Sequence, residues 1–371
     1  MDESHMSFLY TDEQRQIRDG AVRMLAESYS GEVVRGLLES RGHYDASYWR
    51  QCREMGWPAL AVPEEFDGLG LGLIELTLVA EATGRAVCGA PFLASNYAAA
   101  QAILLAGDDV AKADVLPLLA SGEKIGTIAF GRGADAVAPQ PLAQWQNGQI
   151  SGMVPAVLAG AHADLAVVLA SDGGRPVLAL VDLNQDGVER NILATYDNSR
   201  GTADLVLGAT PARLLGEGEA VATAWRVLDR VAVVTAAEQV GGADVCLELA
   251  TDYAKTRQAF GQPIGKFQAI KHKLAEMYVA NEIARANVLE AALRHDRGLE
   301  GFTSLAASAR ISATEAYDLA SREGAQVFGG IGSTWESDMH LHLRRARSTA
   351  SLWGLRFAWQ DRLIAQLEGA A

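Results

Sequence analysis

The sequence predicts a mostly α-helical protein with a central β domain, and three observations predict it. Both ends carry long runs of helical periodicity, and the middle, from about Gly122 to Arg213, breaks into short β-rich runs. No fixed-period repeat or low-complexity tract crosses these blocks. The order of helices, strands and longer helices divides the chain into an N-terminal helical domain at 1–120, a middle β domain at 121–216 and a C-terminal helical bundle at 217–371.

Each block has its own signals. Thr11 stands as an N-cap before "DEQRQIRDGAVRMLAE", where Ile17, Val22 and Leu25 fall at helical spacing. The run "GWPALAVPEEFDGLGLG" interrupts the helices with Pro58, Pro63, Gly68, Gly70 and Gly72 as breakers, and "LIELTLVAEATGRAV" resumes them. In the middle block the strand candidates are "KIGTIAF", "ADLAVVLAS", "PVLALVDL" and "ADLVLG", separated by the turn signals "QNGQ", "SDGGRP" and "NQDG". Beyond Glu217 the periodicity predicts helices over about 219–256, 265–296, 303–327 and 350–367. Few Pro or Gly interrupt them, as expected of helices packed in a bundle.

Composition narrows the function classes. A length of 371 residues, 49% hydrophobic content and a mean hydropathy of +0.05 describe an ordinary globular chain. The net charge of −14 and pI near 5.0 argue against nucleic acid, since a phosphate backbone needs a basic face. Any polyanionic ligand must then be met by a few placed arginines or helix N-termini. Cys52, Cys88 and Cys246 lie far apart with no CxxC pair, so neither a disulfide framework nor a zinc site is expected. No export leader and no membrane-length apolar run is read, and the expected location is cytoplasmic.

Two clusters carry chemistry. In "TRQAFGQPIGKFQAIKHKLAEM", residues 256–277, Phe267, Ile270, Leu274 and Met277 form one apolar helical stripe, with Arg257, Phe260, Gly261 and Pro263 ahead of it. A guanidinium beside an aromatic ring and flexible backbone suits a pyrophosphate next to a flat ring system. The alternative is an arginine paired with a surface carboxylate in a helix-to-helix turn. In "GAQVFGGIGSTWESDMHLHLRRAR", Gly329, Gly330 and Gly332 end a helix and permit close backbone approach. His340 and His342 are two apart and would not share a helix face, so no metal is expected. Arg344, Arg345 and Arg347 are expected on a solvated or subunit-facing surface.

"RQAFGQPIGKFQAIKHKLAEM" with "QVFGGIG" resembles the acyl-CoA dehydrogenase family of flavoproteins, and "GWPALAVPEEFDGLGLG" is similar to that family's N-terminal loop. The resemblance covers nearly the whole chain. It implies an N-terminal helical domain, a middle β-barrel, a C-terminal four-helix bundle and assembly as a dimer of dimers. It implies FAD at a subunit interface, an acyl-CoA substrate and an electron-transfer flavoprotein as electron acceptor. Carried over position by position, Arg257 should meet the pyrophosphate and Phe260, Ile264, Phe267 and Gln268 the adenosine half. Gln326, Val327 and Gly330 should contact the remainder, all reaching into a neighbour's site.

The chain departs from that pattern where the catalytic base belongs. The family's glutamate after the Gly-Gly motif corresponds to Trp353, and its alternative position on the first bundle helix to Val231. Asp229 and Glu238 are the nearest acids to Val231. Glu238 lies two turns along roughly the same face, about 10 Å of helix rise away. It is the remaining catalytic candidate, against the reading of an ordinary helix or interface glutamate. Where the family has a polar loop over flavin and substrate, this chain has "IAFGRGADAVAPQP", and its Trp-Ile-Thr segment corresponds to "VPAVLAGAHAD". One arrangement explains both halves of the pattern: the incomplete subunit of an α2β2 heterotetramer, as in members acting on steroid side chains, which completes a homologous partner's FAD site. The alternatives are a self-sufficient homotetramer with a displaced base and a cofactor-free paralogue acting as a scaffold or thioester binder.

Overall fold

The computed structural model describes residues 10–131, 139–216 and 218–369. Helices α1 (Asp12–Ser28), α2 (Gly31–Glu39), α3 (Ala46–Glu54), α4 (Leu73–Arg85), α5 (Ala100–Ala106) and α6 (Asp109–Ala120) form the first block. Thr11 caps α1 as expected: its hydroxyl accepts from Gln14 N at 3.2 Å and Gln14 Oε1 accepts from Thr11 N at 3.0 Å.

The strands are β1 (Gly126–Ala129), β2 (Ala143–Gln146), β3 (Gln149–Val157), β4 (Leu165–Asp172), β5 (Arg175–Asp182), β6 (Val188–Ile192) and β7 (Ala203–Leu214). They close on themselves, because β4 pairs β2, β2 pairs β3, β3 pairs β7, β7 pairs β5 and β5 returns to β4. Five strands therefore make a barrel, with β1 flanking β4 and β6 flanking β7. The sequence reading missed β2, β3 and β6, since β3 is broken by Gly152 and Pro155 and the exposed β6 has no apolar run. The "QNGQ" signal does mark a hairpin, with Asn147 and Gly148 both at positive φ between β2 and β3.

The last block contains the 37-residue α7 (Ala220–Thr256), a small hairpin of β8 (Gln258–Ala259) and β9 (Gln262–Pro263), α8 (Gln268–Asp296), α9 (Phe302–Phe328), α10 (Met339–Ser351) and α11 (Arg356–Gly369). α9 packs against α7, α8, α10 and α11 and forms the centre of the bundle. One expectation is corrected: 350–367 is not one helix. α10 ends at Ser351, Trp353 at φ +63° and Gly354 at φ +111° reverse the chain, and α11 starts afresh.

The blocks are pressed together where α4 crosses α7. A Cβ on Gly84 would sit 1.9 Å from the Glu238 carbonyl oxygen, and one on Gly241 would sit 2.0 Å from that of Glu81. The backbones touch because both positions lack side chains. The crossing sets the depth at which Glu238 lies.

Candidate functional site

The two sequence-remote motifs meet at one end of the bundle. Tyr253, in the last turn of α7, stacks on Phe328, the last residue of α9, with ring centroids 4.3 Å apart and planes 13° apart. Ile264, Ile270, Leu274 and Val327 pack around the same cluster. Beyond it the chain turns outward. Arg257 ends α7, its N–H donating to Tyr253 O at 2.8 Å, and the β8–β9 turn places Phe260 at φ +52° with 96% of its surface exposed. Phe260 meets Phe267 edge to face at 6.2 Å. Arg257, Gln268, Gln326 and Gly330 are exposed, and Ile264 and Phe267 half-buried. Val327 is buried and supports the cluster from beneath. Among the described residues, Arg257 has no ion-pair partner. The surface-carboxylate alternative thus finds no counterpart here.

A cavity of about 330 Å³ lies elsewhere, between the barrel and the bundle. Its walls come from Ile128–Gly131 at the end of β1, Val154–Leu158 at the end of β3, the 195–202 loop, Trp225 and Leu228 of α7, and the α10–α11 junction. The β3 segment faces it because a bulge between Val154 and Val157, with Ala156 at φ +51°, re-aims the strand. Residues 132–138 of "GRGADAVA", on which the expectation for that loop falls, lie outside the described residues; their flanks, Gly131 and Pro139, line the cavity. None of the eight residues assigned to the cofactor lines this cavity.

Trp353, the position that the resemblance sets against the family's carboxylate, does line it. Val231 is buried within α7. Glu238 is 3% exposed and is not among the residues lining the cavity. Its Oε1 accepts from Arg200 Nη2, and from Arg345 Nη1 at 2.8 Å. Arg345, expected at the surface, is wholly buried, which corrects that reading. Its Nε donates to Asp197 at 2.5 Å, and its Nη2 to Ser199 at 2.8 Å and to the carbonyls of Val87 and Cys88 at 3.1 and 3.0 Å. One guanidinium thereby joins all three blocks. Arg344 donates to Tyr196 O and Arg347 pairs with Asp318, both nearer the surface.

Among the described residues Asp197 is the only carboxylate lining the cavity. Burial pushes its carboxyl up, but Arg345 and Arg200 outweigh that and hold it at about 2. A carboxylate so stabilised is a poor acceptor for a weakly acidic proton. Sequence reasoning missed Asp197, Arg200 and Arg345. "DNSRG" is legible as a turn, with Ser199 N donating to Asp197 at 3.2 Å, but its partners lie 38 and 148 positions away. The histidines also differ in role. His342 is buried and bonded to Tyr317 at 3.0 Å, and His340 packs on Trp335 at 5.0 Å.

The comparisons with known proteins agree with this architecture. The model of the acyl-CoA dehydrogenase N-terminal domain matches residues 11–123 and that of the C-terminal domain matches residues 216–355. Acyl-CoA dehydrogenase IpdE2 of Mycolicibacterium smegmatis is 34% identical over 346 residues, covering 93% of this chain and 95% of the relative. Among solved structures, a Tcur3481-Tcur3483 steroid ACAD is 28% identical, with TM-score 0.88, covering 97% of this chain and 99% of that one. A structure described as the electron transferring flavoprotein of Acidaminococcus fermentans is 26% identical with TM-score 0.90, covering 98% and 99% of the two chains.

Proposed function

Since the chain belongs to the acyl-CoA dehydrogenase family, whose members are FAD-dependent oxidoreductases, we propose that it completes the FAD site of a homologous partner subunit in an acyl-CoA dehydrogenase. The observation that carries this reading is the separation of two surfaces. The exposed Arg257–Phe260 edge stands apart from the chain's own cavity, so it is free to grip a ligand held mainly by another chain.

The residues at that edge fit a dinucleotide. Arg257 offers an unpaired guanidinium to a pyrophosphate, Phe260 and Phe267 offer ring surface to the adenosine half, and Gln268 and Gln326 offer amides. Gly330 has open space at its missing Cβ, which leaves backbone accessible to a ligand. The chain's own cavity does not fit the family's chemistry. Its β3 wall, Val154–Leu158, carries no side-chain hydroxyl, Trp353 replaces the base, and Asp197 is clamped by Arg345. We assign Glu238 to the ion-pair network and place the base outside this chain.

FAD, when bound, supplies the hydride acceptor for α,β-dehydrogenation. This chain's part is to hold the nucleotide and close the partner's site against water. An exposed apolar stripe on α8, Tyr278, Val279 and Ile283, runs along the helix beyond the edge, and Ile331 and Trp335 are exposed past the end of α9, which suits burial against a second subunit. The acyl-CoA carries a steroid-derived group in the same reading, by similarity to the steroid ACAD, and an electron-transfer flavoprotein takes the electrons, as the family resemblance implies. The domain limits 1–120, 121–216 and 217–371 belong to this proposal, supported by strands that run from Gly126 to Leu214. So does a cytoplasmic location, supported by three buried, unpaired thiols. No helix among the described residues is long and apolar enough to cross a membrane.

The visible spectrum of the chain purified alone tests the reading. It should show no flavin band, with the band appearing on co-expression with a homologous subunit. A stoichiometric flavin band from the lone chain would sink the proposal. In the assembled complex, Arg257→Ala and Phe260→Ala should lower flavin content while leaving this chain's stability within about 0.5 kcal/mol, because both side chains are exposed.

A further inference from the structure

Arg230, on α7, is a half-buried arginine with one hydrogen bond and no ion pair among the described residues. Its Nη1 donates to Gln101 Oε1 on α5 at 2.6 Å, which orients the guanidinium. Nε and Nη2 have no acceptor, yet both retain accessible surface. In Arg362 the same edge grips the two oxygens of Asp229, at 2.7 and 2.5 Å, because a planar carboxylate matches it with two parallel bonds. The acids around Arg230 are engaged elsewhere. Asp229 is held by Arg362, while Asp296 accepts from Leu73 N and Ile74 N at 2.7 and 3.0 Å and meets His295 Nδ1 at 2.9 Å. Burial, followed by the charge of Arg226, lowers the Arg230 pKa from its ordinary value, as befits a cation with no close counter-ion.

Arg230 and Gln101 line one cavity of about 210 Å³, separate from the cavity between barrel and bundle. It lies between the N-terminal block and the bundle, with Ala61, Leu71, Leu73, Leu76, Leu104 and Val234 as apolar walls. Among the described residues no carboxylate lines it. The Tyr97 hydroxyl in its wall is satisfied, donating to Leu76 O at 3.2 Å. Gln101 Nε2 is not: it has no acceptor and retains accessible surface, although the residue is only 7% exposed. An apolar enclosure with a few convergent donors is the general form of a small-ligand site, and free donors call for a ligand that brings acceptors. The volume corresponds to about seven waters at about 30 Å³ each, enough for a short alkyl chain and too little for a nucleotide.

We propose that this cavity binds a short-chain monocarboxylate, its oxygens received on the Nε–Nη2 edge of Arg230 with the Gln101 amide as a further donor, and its alkyl chain among the leucines. The site is independent of the flavin-directed edge at Arg257, which lines neither cavity. Such a ligand touches Leu71–Leu73 and α4 on one side and α7 on the other, so it ties the N-terminal block to the bundle and raises the melting temperature of the chain.

The test is titration of the full purified chain with pentanoate, followed by saturation-transfer NMR and by thermal shift, against neutral pentanamide. Expected are one saturable pentanoate site per chain, an upward thermal shift, and amide binding weaker by at least about tenfold. From acetate to pentanoate the affinity should rise about fourfold for each methylene buried. Arg230→Met keeps the aliphatic stem and should weaken pentanoate by at least about tenfold. Ala61→Leu fills the cavity while leaving Arg230 and Gln101 in place, and should weaken it by as much; it serves also if Arg230→Met fails to fold. No saturable site, equal binding of acid and amide, or affinity that ignores chain length would overturn the proposal. So would pentanoate affinity unchanged by either folded variant, or equally strong competition by chloride, which has no chain to bury.

Discussion

Arg345 shows how much a single buried residue decides. Its guanidinium holds two carboxylates, a hydroxyl and two backbone carbonyls drawn from all three blocks. Arg345→Met would strand Asp197 and Glu238 without their shared cation, so unfolding free energy should fall by about 3–5 kcal/mol, measured by chemical denaturation. A loss under about 1 kcal/mol would mean that Arg200 suffices for both acids. The buried His342 and the half-buried His162 contribute to the response to acid. Burial lowers His342 to about 3 and His162 to about 4, well below the ordinary value of 6.5. Both stay neutral in the fold while the unfolded chain takes up protons, so stability should fall as pH drops from about 6.5 towards 4. Asp197 adds its own loss only lower, between about pH 4 and 2, because its folded pKa is depressed. Melting temperature against pH should slope across the first window, and His342→Gln should flatten part of it. A flat profile down to pH 4.5 would contradict the assigned neutrality.

At the scale of elements, the α4–α7 crossing depends on two missing side chains. Gly84→Ala would drive a methyl onto the Glu238 carbonyl, and relief requires α4 to lift from α7. Overpacking of this kind costs about 1–3 kcal/mol, so the variant should melt earlier. It should also disturb the ion pairs anchored by Glu238, which a higher solvent accessibility of Cys88 to thiol reagents would report. Unaltered stability would show that the crossing is looser than the backbone contact implies. The β8–β9 hairpin is the opposite case, since Phe260 is 96% exposed and meets only the edge of Phe267 among the aromatic rings.

At the scale of the whole molecule, residues of three blocks share one ion-pair network beside the cavity between barrel and bundle, while the exposed Arg257–Phe260 edge lies outside both. The barrel supplies the β3 bulge and the 195–202 loop, the bundle supplies α7 and the α10–α11 turn, and the N-terminal block supplies the Val87 and Cys88 carbonyls. On the proposed function, a subunit built this way would offer its exposed Arg257–Phe260 edge to the flavin of a neighbour.

The helical blocks and the position of the β domain were legible in the sequence because each rests on local periodicity, capping or turn chemistry. Thr11 and Gln14, or Asn147 and Gly148, act within three or four residues of themselves. The location of Arg345, the pairing of Glu238 and the lining of the cavity were not. They depend on partners up to 258 positions apart, brought together by barrel closure and the α4–α7 crossing. An arginine-rich run reads as a solvated surface by composition alone. Only the tertiary structure shows that one of those arginines is surrounded by acids and carbonyls that compensate for its burial.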